Sequence, residues 1–151
     1  MDISNSKLVI NDKRLRELES RFNIILPDEY RQFILINNGG TPMPNVFEFI
    51  DTEGKKSNSL VHYFLAIYDG NGFDNIEQNY LLYISEKRIP SDIFPIAEDP
   101  FGNMVCVSVA SGDYGKVYFW DHELEFEDNY GNLSLIANSF NEFIHKLKEN
   151  S

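Results

Sequence analysis

The sequence predicts an α+β fold, with N-terminal helices and a C-terminal helix around a mainly antiparallel sheet. Apolar residues recur at helical spacing near both ends of the chain, whereas the middle and second half hold short β-branched and aromatic runs separated by turns. The chain has 151 residues, 42% hydrophobic and 14% aromatic, which is enough for one self-sufficient core. We therefore expect a single domain over residues 1–151, with its core within about 12–147.

The N-terminal helices are marked by their end residues. The first is expected over Asp12–Arg21, with Asp12 as its cap and Leu15 and Leu18 on its apolar face. The second begins at Leu26–Pro27, because proline suits the first helical position. It ends at Asn38–Gly40, since glycine adopts the left-handed backbone that a helix end often needs.

The central and later segments predict strands. One further helix is expected over Asn75–Lys87, although its run Tyr80–Ile84 is also compatible with a strand. Asp51–Ser59 is expected to be a surface loop. The predicted strands are Asn45–Asp51, Val61–Tyr68, Phe94–Ala97, Met104–Ala110 and Lys116–Asp121.

Two further predictions concern the last quarter of the chain. Three glutamates alternate with Leu124 and Phe126, the period of a strand with one acidic, solvated face. Leu133–Leu147 is expected to be one amphipathic helix, because Ile136, Phe140 and later apolar residues form a stripe at helical spacing.

The charge of the chain is strongly and unevenly negative. There are 13 Lys and Arg against 24 Asp and Glu, a net charge of −11. Residues 89–145 hold ten acids and one base, Lys116, a net charge of −9. This balance argues against direct binding of nucleic acid, which requires a basic face. It favours either a solvated surface or a docking face for a basic partner, and the sequence leaves both open.

The acidic segment supplies the candidate binding face. Tyrosines beside acidic residues are typical of a protein interface, where the rings anchor and the carboxylates form the rim. The candidate residues are Asp121, Glu123, Glu125, Glu127, Asp128, Tyr114 and Tyr130.

No pattern of catalytic, metal-binding or cofactor-binding residues stands out. Cys106 is the only cysteine, so neither an internal disulfide nor a cysteine-rich zinc site can form. Asp121, His122 and Glu123 are consecutive on an expected strand and would point to alternate faces. No phosphate-binding loop is present. We therefore expect no enzyme activity, no metal and no cofactor.

The sequence also predicts the compartment. No apolar run approaches the ~20 residues of a membrane helix. The first residues are polar and mixed in charge, unlike a signal peptide. We expect a cytoplasmic protein that does not engage a membrane.

Four blocks of the sequence resemble the SUKH superfamily, the Smi/Knr-like proteins. Leu26–Gly40 (LPDEYRQFILINNGG) resembles its leading motif. Three more blocks follow in the family's order, namely FPIAEDPFGN at Phe94–Asn103, GKVYFWDHE at Gly115–Glu123, and SFNEFIHKL at Ser139–Leu147. The resemblance covers roughly residues 12–147.

The resemblance implies a Smi/Knr-type α+β fold without catalysis. Bacterial members are typically immunity proteins that bind and block a toxin, often a nuclease, encoded by the adjacent gene. The expected partner is therefore a basic, nuclease-like toxin. The alternative is a regulatory protein-interaction module of the Smi/Knr type. A hydrolase using Asp121, His122 and another carboxylate is the weakest alternative.

Overall fold

The structure is a computed structural model, and it describes residues 1–124 and 131–149. The helices of this part are α1 (Asp12–Phe22), α2 (Asp28–Ile36), α3 (Ile76–Tyr80), which continues as the π-helix Leu81–Ser85, and α4 (Phe140–Lys146). The strands are β1 (Asp2–Ser4), β2 (Thr41–Met43), β3 (Val46–Ile50), β4 (Lys56–Leu60), β5 (Tyr63–Phe64), β6 (Ile93–Glu98), β7 (Met104–Ser108), β8 (Val117–Trp120) and β9 (Leu133–Ala137).

The strands form antiparallel sheets. The largest has five strands in the order β5-β6-β7-β8-β9, so neighbours in sequence are neighbours in space. β3 and β4 form a hairpin, and β1 pairs with β2. This arrangement of helices and antiparallel strands confirms the predicted fold class.

Both N-terminal helices form where the sequence predicts them. Asn11, rather than Asp12, caps α1, because its side-chain oxygen accepts the N–H of Arg14 at 2.9 Å. The helix ends at Asn23, whose φ of 54° is left-handed and whose N–H donates to carbonyls of the last turn. α1 buries Leu15 and Leu18, the predicted apolar face.

Aromatic contacts join the helices and the β3–β4 hairpin to the large sheet. Phe140 of α4 lies against Tyr30 of α2, with ring centroids 5.4 Å apart. The rings of Phe49 on β3 and Phe119 on β8 are stacked at 4.6 Å. These contacts hold the hairpin over β8, which positions the cleft described below.

The centre of the sheet is covered on both faces. Every residue of β7 is buried, as the near-continuous apolar run Met104–Ala110 predicts. In β6, only Glu98 is less than fully buried. Cys106 lies in the middle of β7 with no measurable exposure.

The prediction of one helix over Leu133–Leu147 is wrong. Residues Leu133–Ala137 form β9, which pairs with β8, and the helix begins only at Phe140. Ser139 caps that helix by accepting the N–H of Glu142 at 3.1 Å. The apolar residues of the predicted stripe are buried or half-buried, but Ile136 is buried as part of a strand in the sheet, and only those from Phe140 onwards lie on a helix.

Two predictions between residues 51 and 68 also need correction. The last four residues of the expected loop Asp51–Ser59 belong to β4, a polar strand whose backbone pairs along β3. The expected strand Val61–Tyr68 is regular only over Tyr63–Phe64. Elsewhere its N–H groups donate to several different segments, including the side chain of Asn38. Strand-like composition therefore did not produce one continuous ladder.

Candidate partner-binding surface

The structure separates the predicted face at β8. Tyr114 precedes this strand, whereas Asp121 and Glu123 follow it, so they lie at opposite ends. Trp120, the last residue of β8, is buried. The remaining predicted residues, Glu125, Glu127, Asp128 and Tyr130, lie outside the described residues.

The predicted acidic strand does not begin at Glu123. His122 and Glu123 form a turn, and the Glu123 N–H donates to the Asp121 carboxylate at 2.9 Å. β8 is also an inner strand, between β7 and β9, rather than an edge strand. Asp121 and Glu123 therefore project from a turn at the end of the sheet.

This turn forms one wall of an acidic cleft of about 380 Å³. The opposite wall is the end of the β3–β4 hairpin, and the β6–β7 turn closes one side. Four carboxylates line the cleft, and its described lining contains neither Lys nor Arg. The lining residues are Phe49, Asp51, Thr52, Ser57, Asn58, Ser59, Asp99, Phe101, Asn103, Phe119, Asp121, His122, Glu123, Leu124 and Ser134.

Asp99 and Asp51, like Asp121, accept backbone N–H groups of the turns that carry them. Asp99, only 2% exposed, accepts the backbone N–H groups of Phe101 and Asn103, each at 2.8 Å. Its second oxygen accepts the Ser59 hydroxyl, which fastens the hairpin to the sheet. Asp51 accepts backbone N–H groups of its own turn, and these bonds lower its pKa.

The floor and rim of the acidic cleft are aromatic. The stacked rings of Phe49 and Phe119 lie at the floor, beside Ser134 of β9. Phe101, in the middle of the β6–β7 turn, is 70% exposed at the rim. Phe101 thus places an exposed phenyl ring beside the carboxylates of the cleft.

Tyr114 belongs to a different depression, a groove of about 980 Å³ between the end of α1 and the loops that flank β6 and β7. Its hydroxyl donates to the Ile25 carbonyl at 2.7 Å, and burial raises its pKa. Ile25 is 73% exposed beside it. Below, Glu19 pairs with Arg31 at 3.0 Å. The groove is thus a mixed surface with its described charges largely paired.

The described residues offer no arrangement suited to a metal. No three His, Cys, Asp or Glu side chains in residues 1–124 and 131–149 are placed to hold an ion together. The Cys106 thiol is buried, and burial raises its pKa, which disfavours the reactive thiolate. His122 lies beside Gly102 at the cleft and donates its backbone N–H to Asn103.

Sequence reasoning missed most of the cleft lining, including Asp51, Ser134 and Phe101. Asp51 follows β3 and lies 70 residues before Asp121, so only the fold brings them together. Ser134 was assigned to a helix, where it could not face Phe119. Phe101 carries a visible signal, because a large apolar residue in the turn Asp99–Asn103 has no reason to be buried.

Comparison with known proteins gives the family. The model described as SMI1 / KNR4 family (SUKH-1) matches residues 10–146. The chain belongs to this family. Members of SUKH are generally non-catalytic immunity proteins. The matched range, 10–146, nearly coincides with the range of about 12–147 over which the four sequence blocks resemble the family.

Two similar proteins extend this result. The SPbeta prophage-derived uncharacterized protein YokK of Bacillus subtilis (strain 168) is 30% identical over 167 aligned residues, which cover 97% of this chain and 79% of YokK. The crystal structure of a protein from Pseudomonas syringae pv. tomato matches with a TM-score of 0.53 at 15% identity, over 84% of this chain and 81% of that one. The second likeness concerns the fold alone.

The SUKH motif residues serve the fold. Leu26 and Tyr30 of the leading motif are each 1% exposed. Gly39 has a φ of 77°, and a methyl group there would lie 2.6 Å from the Ala66 side chain.

Among the described helices, none is long and apolar enough to cross a membrane.

Proposed function

We propose that this SUKH protein is a cytoplasmic immunity protein that binds a cognate toxin, a basic nuclease domain, and blocks it without catalysis. Family membership supports the immunity role. The observation that carries the choice of a basic partner is the acidic cleft, which four carboxylates line and whose described lining holds neither Lys nor Arg. Nuclease domains carry basic surfaces because they bind phosphates.

The charge of the chain suits this role. An acidic surface steers a basic partner into encounter, and attraction of this kind weakens as salt screens it. Exposed apolar side chains then slow dissociation by excluding water from the contact. Exposed side chains suited to this are Phe101 at the acidic cleft and Ile25 with Tyr114 at the groove.

The proposal is tested by co-expression with the C-terminal domain of the protein encoded by the adjacent upstream gene. That domain alone should arrest growth, and this chain should restore growth and co-purify with it. A domain that remains toxic, or that does not bind, contradicts the proposal. Binding to cellular proteins instead would support a regulatory interaction module.

We expect the acidic cleft to control the rate of association. The double variant Asp121→Asn, Glu123→Gln should associate with the toxin domain about tenfold more slowly at low salt and show a flatter dependence on ionic strength. Stopped-flow fluorescence measures both quantities. The matched control is Glu17→Gln, which removes an exposed charge from α1. Equal effects of cleft and control variants would place the interface elsewhere.

A further inference from the structure

We infer that the acidic cleft is a receptor for the guanidinium group of an arginine side chain. The inference rests on the proposed function, because it states which chemical group of the toxin enters the cleft. It is also testable without the toxin.

The first argument is the charge of the cleft. Asp51, Asp99, Asp121 and Glu123 line it, and none of them forms an ion pair within residues 1–124 and 131–149. Elsewhere in the described chain, acidic residues such as Glu19 and Glu77 are paired with arginine. Within the described part of the chain, the cleft carboxylates therefore lack the paired arginine that Glu19 and Glu77 have.

The second argument is independent of the carboxylates. Ser134 is only 7% exposed, lines the cleft, and makes no side-chain hydrogen bond to another described residue. Strand pairing places it directly opposite Phe119, on the sheet face that forms the floor. A buried polar group ordinarily has a hydrogen-bond partner. Ser134 Oγ has no hydrogen-bond partner among the described residues, and it can accept a donor that enters the cleft.

The remaining acceptors distinguish the ligand. Both oxygens of Asp99 are already engaged, by Phe101 and Asn103 N–H groups on one side and by Ser59 and Asn103 side chains on the other. Asp121 uses one oxygen for the Glu123 N–H. Its second oxygen, the exposed Glu123 carboxylate and the Ser134 hydroxyl accept no hydrogen bond from another residue of ranges 1–124 and 131–149, and they form a set of dispersed acceptors. Guanidinium carries five N–H donors in a plane and can reach several such groups at once.

The aromatic surfaces favour the same group. Guanidinium is weakly hydrated and stacks on aromatic faces, whereas the ammonium of lysine is compact and strongly hydrated. Phe101 stands 70% exposed at the rim and offers its ring to such a contact, whereas the stacked Phe49 and Phe119 rings of the floor are buried. The cleft volume of about 380 Å³ is sufficient for a side-chain head with its methylene stem.

The test uses three small probes on the full chain at one fixed pH. N-acetyl-arginine amide, N-acetyl-lysine amide and the neutral N-acetyl-citrulline amide are titrated while backbone amide shifts are followed by NMR. We expect saturable shifts with arginine at the amides of Phe101, Asn103, His122 and Ser134. Lysine should bind about tenfold more weakly, and citrulline should not bind. Equal binding of all three probes, or shifts away from the cleft, would overturn the inference.

Variants locate the binding groups. Asp121→Asn keeps the oxygen that accepts the Glu123 N–H and should weaken arginine binding about tenfold. Ser134→Ala should weaken it about threefold, and Phe101→Ala by a similar factor. Glu17→Gln and Phe73→Ala, which alter an exposed acid and a 77% exposed ring elsewhere, are the controls. Arginine binding that survives Asp121→Asn and Phe101→Ala unchanged contradicts the assignment.

The two proposals fail separately. If the toxin domain binds tightly but its affinity ignores all cleft variants, the immunity role stands and the arginine receptor is wrong. If arginine binds in the cleft but no toxin from the adjacent gene is neutralised, the proposed function is wrong and the receptor stands.

Discussion

At the residue scale, Asn38 connects three segments of the chain. Its side chain is 1% exposed, accepts the Ile67 N–H at 2.8 Å, and donates to the carbonyls of Leu8 and Ile67 at the same distance. The Asn38 side chain thereby supplies the hydrogen bonds that a partner strand would otherwise give to the backbone of Ile67, which lies outside the regular strands. The Asn in the family's Asn-Gly-Gly motif has a structural purpose beyond ending α2.

Removing this side chain should be costly. Asn38→Ala leaves three buried or half-buried backbone groups without partners, so we expect the free energy of unfolding to fall by about 3 kcal/mol. The neighbouring Asn37→Ala, whose side chain is only half-buried, is the control and should change it by less than about 0.5 kcal/mol. Urea denaturation measures both. A small loss for Asn38→Ala would show that water replaces the amide.

Glu98 should make stability depend on pH. Burial, assisted by the charge of Asp99, raises the pKa of Glu98 in the folded protein. The folded state therefore holds this proton more tightly than the unfolded state, and stability falls as pH rises through the raised pKa. Glu98→Gln should increase the free energy of unfolding at pH 7 relative to wild type. The gain should shrink towards pH 4, where the wild-type residue is protonated.

Urea denaturation at several pH values measures this difference. Glu17→Gln removes an exposed charge and is the control. A gain for Glu98→Gln that is the same at every pH would mean that ionisation is not its cause.

At the scale of elements, α4 is short but central. It has seven residues, and its Phe140 contacts both Tyr30 and Phe33 of α2, with the Phe33 ring at 4.9 Å. Phe143 adds a contact to Phe47 of β3 at 5.7 Å. α4 therefore joins the helices to the hairpin rather than merely covering the sheet.

Truncating this contact should destabilise the fold. Phe140→Ala removes a ring that is 1% exposed, and we expect a loss of roughly 3–5 kcal/mol in the free energy of unfolding. Phe101→Ala, the same substitution at a 70% exposed ring, should cost little. Guanidinium denaturation compares the two. An unchanged midpoint for Phe140→Ala would show that α4 is peripheral.

The elements differ in how far sequence predicts them. Helices with their own caps, such as α1, and strands with apolar runs, such as β7, follow from local residues. β4 and β9 do not, because β4 is polar and β9 lies within a helical apolar period. Each is fixed by backbone pairing with a neighbouring strand, which a local pattern does not contain.

At the scale of the whole molecule, the fold redistributes the negative charge. Residues 89–145 read as one acidic segment, yet Asp92 and Tyr114 line the groove while Asp99 and Asp121 line the acidic cleft. Sequence thus predicted an excess of charge and two of the four cleft carboxylates in the candidate face. The contribution of the hairpin through Asp51 needed the three-dimensional arrangement.

The thiol of Cys106, the only cysteine, can report how often the folded protein opens. Cys106 has no measurable exposure, and burial raises its pKa, so reagents reach its thiolate only when the central strands separate. The rate of alkylation at this atom therefore reports opening of the whole molecule. A ligand that binds only the folded form lowers the population of the opened form by the factor 1 + L/Kd, where L is the free ligand concentration, and alkylation slows accordingly. Mass spectrometry of Cys106 alkylation can thus compare how strongly different candidate toxins bind this protein. The proteins need no tag, and the measurement works in a crude extract.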